Sequence, residues 1–191
     1  MYFALVHLPD IDTTRIELLR NKYDPTAHLI QAHISILFPV PEEIGVNVLI
    51  NHIESVLKHW KPFSIRINGL HKSWDNWLLL TLKDGNAEVI RLHNQIYTGM
   101  LQPYQRKDID FVPHIGLGLF VKEGVKYDYK NPKELEFDER KYELAVHDAS
   151  QLNLDYKCVF DKLYLVSLTN DFSKIEVSKK FLFGGGLLEL G

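Results

Sequence analysis

Two histidines in similar apolar surroundings are the residues of this 191-residue chain best suited to acid–base chemistry. Gln31-Ala32-His33-Ile34-Ser35-Ile36-Leu37-Phe38 and Val112-Pro113-His114-Ile115-Gly116-Leu117-Gly118-Leu119 each set His-Ile at the head of an apolar run, with the histidines 81 residues apart. The two-residue side-chain period of a strand predicts Ile34, Ile36 and Phe38 on one face and His33, Ser35 and Leu37 on the other. It likewise turns Ile115, Leu117 and Leu119 inward and leaves His114 on a face with Gly116 and Gly118, nearly bare of side chains. An imidazole titrates at roughly 6.5, so in a facing pair one ring can serve as base while the other, held protonated by a phosphate, serves as acid. Phosphodiester chemistry suits such a pair. The Ser35 hydroxyl, two residues along its strand, can hydrogen-bond a non-bridging phosphate oxygen.

Composition narrows the partners. With 22 basic and 25 acidic side chains the formal net charge is -3, which lacks the basic footprint of a protein that tracks long nucleic-acid backbones; a nucleotide or an RNA terminus fits better. The single cysteine, Cys158, can close neither an intrachain disulfide nor a Cys-rich zinc site, and within Lys157-Cys158-Val159-Phe160 it reads as a buried, inert thiol. His52 and His59 are seven apart on a predicted helix, His93 and His147 fall on helical patterns, and no His-Glu-x-x-His occurs, so neither a metal nor another cofactor is expected. The N-terminal stretch Met1 to His7 has no basic region before it and no small-residue cleavage site after it, and no apolar run approaches a membrane span. A cytoplasmic monomer with no membrane association is expected.

The elements that must position the histidines follow from periodicity. Residues 2–8 predict a strand ended by Pro9, and Asp10 or Asp12 can cap a helix bearing Ile11, Ile16, Leu18 and Leu19. A strand from about His28 to Phe38, stopped by Pro39-Val40-Pro41, precedes a helix marked by Val46, Leu49, Ile50, Ile53, Val56 and Leu57. Residues 63–67 and 77–82 predict a hairpin turning at Asp75-Asn76, and Ala87, Ile90, Leu92, His93, Ile96, Tyr97 and Leu101 mark a third helix. The second histidine strand spans 111–121, the charged segment 122–138 reads as a solvated excursion, and Tyr142, Leu144, Ala145, Ala149 and Leu152 mark a fourth helix. Two closing strands are expected at 162–168 and 175–183, with Gly184-Gly185-Gly186 as a turn rather than a phosphate cradle. Helices mixed with hairpins predict an α+β fold with mixed or antiparallel sheets.

On these residues the chain resembles the 2H phosphoesterase superfamily, which includes 2′-5′ RNA ligase-like proteins and cyclic nucleotide phosphodiesterases and carries two His-x-Thr/Ser motifs about 80 residues apart. Tyr2-Phe3-Ala4-Leu5-Val6-His7-Leu8-Pro9 is similar to that family's opening strand, and Trp77-Leu78-Leu79-Leu80 to the strand before its middle helix. Asp110-Phe111-Val112-Pro113-His114-Ile115 resembles the lead-in to the second motif, and Leu163-Tyr164-Leu165-Val166-Ser167 the penultimate strand. The resemblance implies a single bilobal, pseudo-two-fold domain over 1–191 with two sheets, flanking helices and a central cleft. It implies His33 and His114 as catalytic acid and base, with Ser35 and the Gly116 position beside the phosphate. His114-Ile115-Gly116 departs from the motif, having glycine where the family has Thr or Ser.

Two further positions, Tyr104 and Arg106, lie in the loop entering the second histidine strand, where a cation could attract phosphate, and Trp74 could stack on a base. The leading expectation is metal-free hydrolysis of a 2′,3′-cyclic phosphate, or of a related cyclic phosphate or 2′-5′ bond, in a nucleotide or RNA end; ligation, its reverse, would use the same acid and base. The rival is a binding module that keeps the cleft for a nucleotide or RNA terminus and has lost catalysis with the second hydroxyl. Gly116 and Gly118 together suggest a third consequence: a face cleared for a bulky ligand.

Overall fold

Apolar residues at strand and helix spacing build eight strands and four helices within residues 1–122 and 135–184, which the computed structural model describes. In chain order these are β1 (Tyr2–His7), α1 (Thr14–Tyr23), β2 (Ile34–Pro41), α2 (Val46–Leu57), β3 (Phe63–Lys72), β4 (Trp77–Asp84), α3 (Asn86–Ile96), β5 (His114–Leu119), α4 (Glu139–Ser150), β6 (Tyr156–Phe160), β7 (Lys162–Leu168) and β8 (Ile175–Leu182). One four-stranded sheet has the order β2-β1-β7-β8 and the other β5-β4-β3-β6. Every pairing is antiparallel, so the α+β fold contains no mixed sheet among the described residues. Each histidine strand is thus the edge of its sheet.

Local chemistry explains the boundaries. Asp138 caps α4, its carboxylate accepting from the Lys141 N–H at 3.0 Å, whereas neither Asp10 nor Asp12 caps α1: the N-cap is Thr13, and Asp12 Oδ1 accepts from the Thr14 N–H at 3.0 Å in the turn ahead of it. The stretch from His28 does not enter β2: Asp24 Oδ1 accepts from both the N–H and the hydroxyl of Thr26, at 2.8 and 2.7 Å, and folds the chain into turns up to residue 30. At its other end β2 continues through Pro39 and Pro41 instead of stopping, because an edge strand tolerates the missing N–H. Gly69, at φ +126°, takes up an irregularity in β3 and lets that strand run on from Ile67 to Lys72. β6, unanticipated as a strand, completes the second sheet against β3. Of the charged segment 122–138 and the triple glycine, residues 123–134, 185 and 186 lie outside the described residues, while Phe137 packs against the core.

The helices cross between the two sheets. α1, which follows β1, packs on β5, whereas α3, which follows β4, packs on β2. The main core takes Leu5, Ile34, Ile36 and Leu165 from one sheet and Ile65, Leu80, Ile115 and Leu117 from the other. A smaller apolar cluster of Ala4, Val6, Val166 and Leu168, joined by Ile30 and Tyr164, covers the opposite face of the first sheet. No helix among the described residues is long and apolar enough to cross a membrane.

Candidate active site

Both histidine strands carry the same irregularity. Val6 faces Ser35 and Leu5 faces Leu37, so Ile36 has no partner; Leu79 faces Gly116 and Leu78 faces Gly118, so Leu117 has none. In each strand the extra residue stands three positions after the histidine. A bulge interrupts side-chain alternation, so the simple period fails beyond it. Leu37, expected beside His33, is in the main core, and Gly118 is turned to the same face as Leu78, which is also in the core. His33, just before β2, and Ser35 lie ahead of the bulge and keep the shared face expected of them, with Ser35 opposite Val6 of the smaller cluster.

The two glycines consequently differ. A Cβ on Gly118 would stand 2.5 Å from Tyr23 Cβ and 3.1 Å from the Tyr23 carbonyl oxygen, so this glycine admits α1 against β5. A Cβ on Gly116 would stand 3.3 and 3.4 Å from two ring carbons of Trp77. The indole therefore lies along the bare backbone where the motif's second hydroxyl would project, and the cleared face predicted for a bulky ligand is already filled.

Each imidazole is held in the same way. Nδ1–H of His33 donates to the Gln31 carbonyl at 2.9 Å, and Nδ1–H of His114 donates to the Val112 carbonyl at 2.6 Å. A carbonyl can only accept, so in the neutral rings Nε2 is the unprotonated nitrogen. β2 and β5 touch, and the charge of His114 bears on His33, which brings the two histidines into one region. Burial pushes His33 down to about 4, with the Arg20 guanidinium and His114 lowering it further. Burial also lowers His114, where the Asp75 carboxylate acts in the opposite sense and His71 reinforces the shift.

Two helices brace these strands. Arg20, buried at 2% exposure, donates to Asp24 at 3.0 and 3.1 Å and to Glu17 at 3.1 and 3.2 Å; Glu17 Oε1 in turn accepts from the Ala32 N–H at 2.6 Å, beside His33. From α3, Nδ1–H of His93 donates to the carbonyl of the bulged Ile36 at 2.9 Å, and the Phe38 N–H donates to the Tyr97 hydroxyl at 2.9 Å. The His93 ring stacks on Phe111 with centroids 3.7 Å apart, so this buried histidine ties β2 to the segment that leads into β5. The helical pattern discloses its buried side but not this role.

Arg106 makes a bidentate ion pair with Asp108, at 2.8 and 2.7 Å, and also feels Asp75; Tyr104 is exposed at the end of the 3₁₀ segment Gly99–Tyr104. Trp74 is exposed. Cys158 is half-buried with its thiol pushed up to about 11 by burial, in keeping with an inert role. Among the described residues no group of three or more His, Cys, Asp or Glu side chains is arranged to hold a metal ion.

Solved structures share this fold. TT0787 of Thermus thermophilus matches with a TM-score of 0.61 at 16% identity, over 97% of this chain and 99% of that one. LigT of E. coli in its apo form matches with a TM-score of 0.57 at 16% identity over 95% of each chain, and LigT complexed with 3′-AMP with 0.55 at 16% identity over 95% and 96%. No curated protein sequence matches the chain. The model of the 2′-5′ RNA ligase superfamily matches residues 8–171, a span that includes both histidine strands, the crossing helices and the whole of the second sheet, and leaves out β1 and β8 of the first. By that match the chain belongs to the 2′-5′ RNA ligase superfamily of 2H phosphoesterases.

Proposed function

We propose that the protein is a metal-independent phosphoesterase that opens a 2′,3′-cyclic phosphate, or a related cyclic phosphate or 2′-5′ phosphodiester, in a nucleotide or at an RNA end. The observation that carries this reading is the matched pair of imidazoles, each oriented by the carbonyl two residues before it and each left with Nε2 for proton transfer. A water oxygen bonds to phosphorus while one bond from phosphorus to a ribose oxygen breaks. The base takes the water proton and the acid protonates the leaving ribose oxygen. Burial lowers both rings, and we assign His33, pushed down to about 4, as the base, and His114, beside which the Asp75 carboxylate favours a proton, as the acid. Ser35 holds a non-bridging oxygen. The 3′-AMP held by LigT supports a nucleotide monoester as a ligand of this fold.

The pH dependence tests that division. In the free enzyme His33 must be deprotonated, which occurs above about 4, and His114 must keep its proton, which it loses below the usual imidazole range. The kcat/KM profile for a 2′,3′-cyclic nucleotide should therefore be a bell on the acidic side of pH 6.5, already falling towards neutrality. Bound phosphate stabilises the His114 cation, so the alkaline limb of kcat should lie higher. A kcat/KM optimum above pH 8 would exclude the histidine pair as acid and base.

A second reading draws on Gly116 and the indole beside it. With Trp77 in place of the second hydroxyl, the same groups would recognise a nucleotide or RNA end without turning it over. That reading predicts phosphate-dependent affinity with no product.

A further inference from the structure

Resting on the phosphoesterase reading and extending it, we propose that the second sheet carries a second anion subsite at His71, so that the preferred substrate bears another phosphate besides the reacting one. Strand register places His71 opposite Leu79, and Leu79 opposite Gly116, so His71, Leu79 and Gly116 form one row across β3, β4 and β5 on the face that carries His114. His114 stands one row further along, opposite Thr81. With strands spaced at about 4.8 Å, the His71 and Gly116 backbones are on the order of 10 Å apart. This separation is too wide for one phosphate to bridge His71 and His114 at short range, and it suits a neighbouring phosphate on the same nucleotide chain.

The other polar groups nearby are engaged. The Thr81 hydroxyl donates to the Gly69 carbonyl at 3.2 Å, and Arg106 is paired with Asp108. Lys72 extends to the opposite face, with Nζ 3.3 Å from the Phe137 ring centroid. Asp75 accepts from the Ser73 hydroxyl and lies near Arg106. His71 is exposed and makes no hydrogen bond within the described residues, yet it is near enough to His114 to bear on its titration. An imidazole N–H that is open to solvent and fixed on a strand is suited to hold a phosphate oxygen. With the Trp77 indole against Gly116, His71 is the open donor of this row, available to a second phosphate beside the reacting one.

The test compares kcat/KM for three substrates: a nucleoside 2′,3′-cyclic phosphate, the same compound with a 5′-phosphate, and a dinucleotide ending in a 2′,3′-cyclic phosphate. The wild-type protein should favour one of the two larger substrates by about tenfold, the strength of one charge-assisted contact. Preference for the second compound assigns the subsite to a 5′-phosphate, and preference for the third assigns it to an internucleotide phosphate. His71→Ala should bring the ratio close to one and His71→Lys should restore it, with circular dichroism verifying that both variants fold. A wild-type ratio near one, or a preference that survives His71→Ala, overturns the subsite while the phosphoesterase reading stands. Failure of the wild-type protein to turn over any of the three removes both.

Discussion

Replacing either His33 or His114 with alanine should lower kcat/KM on a 2′,3′-cyclic nucleotide by on the order of 10² to 10⁴, the range of a lost general acid or base. Each substitution removes a half-buried ring whose Nδ1 serves only to orient it, so stability should change little beside the loss in rate. The two variants should also differ in pH dependence. His33→Ala should lose the acidic limb of the profile and His114→Ala the alkaline limb, as the assignment of His33 as base and His114 as acid requires. Steady-state rates across pH 3.5 to 8 check this for each variant, and near-wild-type activity in either one rules out a catalytic pair.

Gly118→Ala should destabilise the fold strongly. The new methyl would stand 2.5 Å from Tyr23 Cβ and 2.9 Å from a Phe120 ring carbon, and the Tyr23 carbonyl 3.1 Å away belongs to the backbone, which cannot swing aside like a side chain. α1 must therefore move off β5, at a cost of about 3 kcal/mol, which for a chain of this length lowers Tm by roughly 10 °C. The displaced helix also carries Glu17 and Arg20, so the Ala32 N–H bond beside His33 should loosen and activity should fall together with stability. Thermal unfolding of the variant measures the first effect, and an unchanged Tm would mean that α1 does not pack on Gly118 in solution.

The reach and the failure of sequence reasoning both show in these two strands. Both His-Ile heads, Ser35 and the helices before and after them are legible because helical spacing and strand alternation are short-range patterns. The bulges at Ile36 and Leu117 are not, since an extra residue leaves the apolar composition of a strand unchanged while reversing its faces beyond that point. Simple alternation misplaces Leu37 and Gly118 for that reason alone. The glycine that permits β3 to pass Gly69 has the same consequence: a strand read as ending at Ile67 hides that His71 shares a face with His114. β6 escapes a periodicity reading because its five residues alternate only between half-buried and exposed before Phe160, and the strand is specified by its pairing with β3. The role of His93 depends on α3 crossing to the other sheet, which no local pattern records.

The central claim, that two imidazoles alone carry phosphoester hydrolysis, is tested most directly by following a nucleoside 2′,3′-cyclic phosphate by phosphorus NMR with the purified protein in excess EDTA. The account predicts conversion of the cyclic diester signal to a single 2′- or 3′-monoester at the same rate with and without the chelator, and no conversion by His33→Ala or His114→Ala on the same timescale. A rate abolished by EDTA and restored by a divalent cation would contradict it.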